Sequence, residues 1–332
     1  MTTLFKLTST AALVVTVALS ATSINAESLR LVTNWGTGSY SVARTLQFAN
    51  DFNASDAAKA ADIEIIHVGG PEVTPATQQL TGLSSGVFDM LFGAAGYYVG
   101  AVPESRAIYG SSITPMQARE TGAIKLLDQI YSEKANARVL GWVAAGVGYH
   151  IWLRDEPKLD ENGLPILDNI KIRSSGFYNQ WLEKYGATTV TVPAPDIYNA
   201  LERGVVDGAA WPALGITDYG FEKFIGYRID PPIWQFDNLL WVNQDKWNSL
   251  SEAQRSALND AVLAYEPVAH EFYEKLAAEE RIEVEAAGVK SFTLSAEAEA
   301  VFVDHARNVQ WEKLKSAGSE HYDALRAAFP AN

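Results

Sequence analysis

Arg173 is the side chain that points most clearly to a chemistry in this 332-residue chain. It ends the segment Ile170–Arg173, which reads as a short strand, and the turn residues Ser174-Ser175-Gly176 follow it. Because open α/β sheets bind ligands at the carboxyl ends of their strands, Arg173 is expected to face a crevice. A guanidinium group there matches a carboxylate with two parallel hydrogen bonds. The alternative is that Arg173 pairs with a carboxylate of the protein itself.

Patterns for catalysis are weak. Gly82-Leu83-Ser84-Ser85-Gly86 fits G-x-S-x-G, but that motif needs a strand before it and a helix after it. Here the predicted order is reversed, so a helix end is favoured over a serine hydrolase that uses Ser84. The histidines have no metal-ligand spacing and stand at His67, His150, His270, His305 and His321.

Composition excludes several classes of function. The chain has 26 Lys and Arg against 40 Asp and Glu, a net charge of −14. This acidic balance argues against nucleic-acid binding and against direct binding to anionic lipid. The absence of cysteine excludes thiol catalysis, disulfides and Cys-ligated zinc or iron–sulfur centres.

Residues 1–26 have the pattern of a secretory signal peptide. Lys6 precedes the short apolar stretch 11–19, and small residues lead to a cleavage site after about Ala26. The apolar stretch is too short to cross a bilayer of about 30 Å. The expected location is the bacterial periplasm, and a packed N-terminal helix is the alternative.

The remaining chain alternates strands and helices, which predicts an α/β fold with parallel strands covered by helices. The predicted strands are residues 29–33, 63–68, 87–92, 137–144, 149–153, 170–173, 188–192, 205–210, 233–241 and 289–294. Ser251 and Gln254 predict a capping box, and apolar residues from Leu258 to Leu276 recur at helical spacing. A helix from there to Gly288 would be about 57 Å long, enough to cross two lobes.

The stretch 168–213 resembles the signature of DctP-type solute-binding proteins of TRAP (tripartite ATP-independent periplasmic) transporters. The matching residues are Lys171-Ile172-Arg173, Gly186-Ala187, Tyr198-Asn199-Ala200-Leu201 and Gly204-Val205-Val206-Asp207-Gly208, in order and spacing. Gly70-Pro71-Glu72-Val73, Tyr97-Tyr98 and Ala210-Trp211 look most similar to the family branch that binds 2-oxo acids.

The resemblance implies a periplasmic binding protein-like fold, with two α/β lobes that close on a ligand about a hinge. Residues 27–146 with about 237–265 would form the first lobe, and 147–236 with about 266–332 the second. Arg173 would bind the ligand carboxylate, without chemistry on the ligand. The receptor would deliver this organic acid to a small and a large TRAP membrane subunit for uptake driven by an ion gradient; a receptor for an ATP-driven importer is the competing interpretation.

The other candidate site residues are chosen by type and position. Trp211, Tyr97, Tyr98, Trp152 and Trp35 are expected to form aromatic walls, and Glu72, His150, Gln235 and Asn238 to contact polar groups of the ligand. Aromatic walls around one cation suit an aromatic or bulky apolar carboxylate, or a zwitterion such as an ectoine-like osmolyte. The branch often places a metal beside the ligand, but the residue before Trp211 is alanine and no glutamate accompanies Gln235, so no metal or other cofactor is expected.

Overall fold

Strands form where β-branched and aromatic runs are bounded by turn residues. The computed structural model describes residues 26–330, so the predicted signal peptide lies almost wholly outside the described residues. The strands are β1 (Glu27–Thr33), β2 (Ile63–Gly69), β3 (Met90–Ala94), β4 (Ala137–Ala144), β5 (Tyr149–Leu153), β6 (Lys158–Leu159), β7 (Pro165–Ile166), β8 (Lys171–Ser174), β9 (Thr188–Thr191), β10 (Gly208–Pro212), β11 (Tyr227–Asp230), β12 (Asn238–Asn243) and β13 (Lys290–Thr293).

The helices cover the sheets. They are α1 (Tyr40–Ala54), α2 (Asp56–Ala60), α3 (Gln79–Ser84), α4 (Arg106–Tyr109), α5 (Pro115–Glu120), α6 (Ala123–Ala135), α7 (Asn179–Lys184), α8 (Ile197–Glu202), α9 (Gln244–Ser249), α10 (Glu252–Ala286), α11 (Ala296–Ser316) and α12 (Tyr322–Ala328). None of the described helices is long and apolar enough to cross a membrane.

Two mixed sheets carry the site. The first has the order β2-β1-β3-β12-β4 and the second β13-β11-β5-β10-β8-β9, while β6 and β7 form a small ribbon. In each sheet the strands at the cleft, β1 with β3 and β8 with β10, run parallel. The predicted α/β class with two sheets is therefore confirmed.

Several local predictions are also confirmed, because they follow from short-range chemistry. Ser251 and Gln254 form the predicted capping box at the start of α10. Gly186 ends the helical turn after α7 with φ +88°, a conformation that strongly favours glycine.

The predicted strand 233–241 begins only at Asn238.

The end of the chain packs against the first sheet. Trp311 and Leu314 of α11, with Leu325 and Phe329 at α12, pack in the apolar cluster that contains Trp241 of the first sheet. The Trp311 indole also donates to the Gly110 carbonyl at 2.9 Å. These residues were predicted to belong to the second lobe. Their apolar side chains cover the first sheet and are buried there.

Helix α10 is fixed to both sheets by buried glutamates. Glu266 accepts hydrogen bonds from Arg119 Nε at 2.8 Å and from the Trp142 amide of β4 at 2.8 Å. Fourteen residues on, about 21 Å along the helix, Glu280 accepts from the Gly215 amide at 2.7 Å and the Thr217 amide at 3.0 Å, beyond β10. The long helix therefore sets where the two halves of the cleft stand.

Replacing the first of these carboxylates tests its structural role. Glu266→Ala leaves the buried Trp142 amide without an acceptor, and we expect it to lower the free energy of unfolding by about 1–3 kcal/mol, measured by urea unfolding. The control Glu279→Ala removes an exposed glutamate of the same helix and should change stability by less than about 0.5 kcal/mol. Equal effects of the two variants would contradict the assignment.

Candidate functional site

Arg173 lies buried at the carboxyl end of β8, with 3% of its surface exposed. Its Nε donates to the Val192 carbonyl at 2.9 Å, and its Nη1 donates to the Ala210 carbonyl at 3.3 Å. Its guanidinium carbon stands 5.0 Å from the centre of the Trp211 ring. Backbone of two neighbouring strands and one indole thus fix the orientation of the guanidinium group.

No carboxylate of the described chain neutralises this cation. The groups that act on Arg173 electrostatically are the hydroxyls of Tyr97, Tyr178 and Tyr149, and burial lowers the pKa of its guanidinium. Its Nη2 makes no hydrogen bond to any residue between 26 and 330. A buried charge without a partner is strongly destabilising, so an anion at this position would be bound favourably.

Two connected chambers meet at Arg173, since the residue lines both. The inner chamber encloses about 50 Å³ and has aromatic walls. Its lining includes Tyr40, Tyr97, Tyr149, Phe177, Tyr178, Trp211, Tyr219, Phe236 and Asn238. Rigid ring packing stabilises these walls: the Phe177 ring stacks 3.9 Å from Tyr178 and 4.8 Å from Tyr109 of α4.

The outer chamber is larger, with a volume of about 640 Å³, and both sheets contribute loops to it. From the first sheet come the loop after β1, which includes Trp35, and the loop after β2, which includes Pro71 and Pro75. From the second sheet comes the loop after β9, with Pro193 and Pro195. Arg173 is the only formally charged side chain among the described residues that line either chamber.

A pocket between two α/β units with one buried arginine is the arrangement that the sequence resemblance implied, and the comparisons agree. Residues 166–316 match the model of DctP, the bacterial extracellular solute-binding protein, family 7. The chain carries a DctP-family segment. The predicted resemblance is confirmed over this range, which contains Arg173 and Trp211.

One curated relative extends the match. The chain is 25% identical over 205 residues to a monocarboxylate 2-oxoacid-binding periplasmic protein of Nostoc sp.. That alignment covers 58% of this chain, and the chain spans only 54% of the relative's length.

Solved structures of solute-binding proteins share the fold. The Bordetella pertussis receptor DctP7, which binds pyroglutamic acid, superposes with a TM-score of 0.77 at 15% identity, covering 92% of this chain and 99% of the receptor. A TRAP transporter solute-binding protein of Bordetella bronchiseptica, solved with calcium and picolinate, gives 0.76 at 20% identity, covering 91% and 90%. The matched family and fold are those of solute-binding proteins and not of enzymes.

Five of the predicted site residues line the chambers: Arg173, Trp211, Tyr97, Trp35 and Asn238. Trp35 and Tyr97 contact each other, with ring centroids 6.2 Å apart. Asn238 is 2% exposed, and its side chain makes no hydrogen bond within the described chain. Ligand contact by these residues stays a prediction.

The predicted site residues Trp152 and His150 lie outside both chamber linings, on the face of β5 opposite to Tyr149. Trp152 is fully buried, and its indole donates to the Trp211 carbonyl at 2.9 Å. His150 lies 3.0 Å from the Ile229 carbonyl and 3.2 Å from Asp230. Side chains alternate along a strand, so the residue that lines the pocket is their neighbour Tyr149.

Three more predicted site residues lie outside both chamber linings: Tyr98, Glu72 and Gln235. Tyr98 is buried behind the site, where its hydroxyl accepts from Asn34 at 2.7 Å. The exposed Glu72 accepts from the Gly70 amide at 2.7 Å. Gln235 donates to the Ile113 carbonyl at 2.8 Å.

Ser84 ends α3 and precedes β3, the reverse of a nucleophile elbow. Within residues 26–330 no histidine hydrogen-bonds to its hydroxyl. The helix-end interpretation of the G-x-S-x-G pattern is therefore the one that the structure supports.

Asp237 is a site residue that sequence reasoning missed. Its buried carboxylate accepts hydrogen bonds from the Gly96 amide at 2.6 Å, from Tyr149 at 3.2 Å and from the Tyr109 hydroxyl. It thereby orients the ring of Tyr149 in the inner chamber. Its position directly before Asn238 was the available signal, but the predicted strand ran through both residues.

The titration of Asp237 gives a test. Burial raises its pKa, so its contribution to stability is largest below the unfolded-state pKa and declines as pH rises through the folded-state pKa. Asp237→Asn cannot ionise, and we expect its stability relative to the natural protein to increase as the pH rises above about 4, the ordinary pKa of an aspartate. Urea unfolding across this range measures the trend.

Asp230→Asn is the matched control. Burial alone would raise the pKa of Asp230, but hydrogen bonds from His150 and Arg228 lower it. This variant should therefore lose stability relative to the natural protein as pH rises from about 2 to about 4. A pH-independent difference for Asp237→Asn would contradict the assignment.

Proposed function

We propose that this protein is an exported receptor that binds an organic monocarboxylate through Arg173. One observation carries the proposal: a buried guanidinium group, oriented by two backbone carbonyls, faces a pocket and has no counter-ion in the described chain. A ligand carboxylate would supply the missing negative charge, and its two oxygens would accept hydrogen bonds from the remaining guanidinium N–H groups in a bidentate geometry. Closure of the two sheets around it would exclude water and strengthen the contact.

Delivery to a membrane carrier follows from the family and is part of the proposal. The fold neighbour from Bordetella bronchiseptica is named as a TRAP transporter protein, which supports a small and a large TRAP membrane subunit as the partners. An exported acidic chain with the predicted signal peptide would act in the periplasm. Uptake into vesicles holding both subunits should then require an ion gradient and no ATP; dependence on ATP would favour the other class of importer.

Loss of ligand-induced stabilisation in an arginine variant is the direct test. A ligand at 100 times its Kd stabilises a protein by about 2.7 kcal/mol, so thermal unfolding against a library of carboxylates should show a clear rise in Tm. Arg173→Gln should abolish the rise. The control is Arg154→Gln. Arg154 directly follows β5 and also donates to a backbone carbonyl, that of Leu201 at 2.7 Å, and this variant should retain the ligand-induced rise in Tm. A shift that persists in Arg173→Gln would refute the proposed role.

We also propose that binding needs no metal ion. Calcium prefers several oxygen ligands that include carboxylates, and no Asp or Glu of the described chain lines either chamber. The group closest to a cation site among residues 26–330 is Glu133, Glu320 and His321, outside the chamber lining.

Chelation tests this second point. Treatment with EDTA should leave the ligand-induced rise in Tm unchanged, because Arg173 alone supplies the positive charge. Binding that disappears with EDTA and returns with added calcium would show that the ligand is held through a metal.

A further inference from the structure

We infer that the ligand is a monoanion with an apolar body of substantial size, its carboxylate at Arg173 and its body in the outer chamber. The inference rests on the proposed function and adds the chemical class of the ligand. It is carried by the charge, the hydrogen-bonding capacity and the size of the two chambers.

Charge limits the ligand to one anionic group. Arg173 is the only charged side chain among the described residues of both linings. A second carboxylate would be desolvated without a cation, and an ammonium group would lack an anion, each at a large cost. Of the two indole rings in the lining, Trp211 already has the Arg173 guanidinium carbon 5.0 Å from its centre, which leaves Trp35 as the other.

The outer chamber offers a ligand hydroxyl groups, from Thr77, Tyr97, Ser175, Thr191 and Tyr219, but little amide or charged hydrogen-bonding capacity. Asn34, its one amide side chain, is already satisfied: Nδ2 donates to Gln79 and Tyr98 at 2.7 Å, and Oδ1 accepts from the Ala94 amide at 2.8 Å. Ser39 hydrogen-bonds to Ser41 at 2.9 Å. A sugar acid would exchange water for neutral hydroxyl partners only, with no charged group beyond Arg173 to strengthen those hydrogen bonds, which favours a less hydroxylated ligand.

Size divides the ligand between the chambers. The inner chamber, about 50 Å³, has room for roughly three or four water-sized groups, the size of a carboxylate and one more atom. The outer chamber, about 640 Å³, lies in the range of pockets that hold whole small molecules. Its walls include the rings of Pro71, Pro75, Pro193 and Pro195 from opposite sides of the cleft. An apolar body projecting from Arg173 would therefore be covered by both sheets.

A graded ligand series measures this by calorimetry. Along acetate, butyrate, hexanoate and octanoate, we expect Kd to fall by up to about fourfold for each added methylene. Benzoate and 3-phenylpropionate test the same chamber with a flat body. Succinate, glucuronate and ectoine should bind at least about tenfold more weakly than the best apolar acid.

A filled outer chamber provides the matching variant. Thr77→Trp places a large ring at an exposed lining position and should weaken the best long apolar acid at least tenfold while changing butyrate little. Thr81→Trp, at an exposed position of α3 outside both linings, is the control, and Ala194→Phe fills the chamber from the opposite side if Thr77→Trp does not fold.

The outcomes separate the two proposals. Affinity that is flat along the series, or tighter Arg173-dependent binding of succinate, glucuronate or ectoine, would overturn the apolar-body inference and leave the receptor function standing. An absence of binding by every carboxylate would overturn both.

Discussion

The cleft is organised around a buried cation that has no counter-ion among residues 26–330. The Arg173 guanidinium gives hydrogen bonds to the Val192 and Ala210 carbonyls and stacks on Trp211, so its position is fixed while its charge is not neutralised. Removing a charge from water costs free energy that only a partner or a ligand recovers. The site is thus organised for an anion before one arrives, which reduces the cost of ordering groups on binding.

Enclosing that cation in a cleft involves both sheets and the helix that joins them. The parallel pairing of β8 with β10 brings Arg173 and the end of β10 together, and β3 with β12 supplies the opposite wall. Glu266 and Glu280 of helix α10 accept hydrogen bonds from backbone amides on the two sides of the cleft. These buried carboxylates thus hold the fold together, whereas no Asp or Glu among the described residues lines the chambers.

Features that depend on local interactions could be predicted from the sequence. On β5, however, the predicted residues are the immediate neighbours of the one that lines the pocket. Capping chemistry gave the start of α10, and the ends of parallel strands gave Arg173 and Trp211. On β5 the prediction chose His150 and Trp152 by residue type, whereas Tyr149 faces the pocket. In a strand that is buried on both faces, the side chains do not alternate between apolar and polar. The sequence pattern therefore does not indicate which face of the strand meets the cleft. Tyr97 and Tyr98 show the same ambiguity in a helical turn.

Propensity, turn chemistry and short motifs act over a few residues, so the α/β class, the strand that ends in Arg173 and the family resemblance can be predicted from the sequence. The packed structure is needed to see which aromatic rings face the cleft, that α12 covers the first sheet, that Asp237 supports Tyr149, and that Arg173 is the one charge of the described lining. These depend on contacts between residues far apart in the chain, and burial and pairing exist only once the sheets and helices have packed.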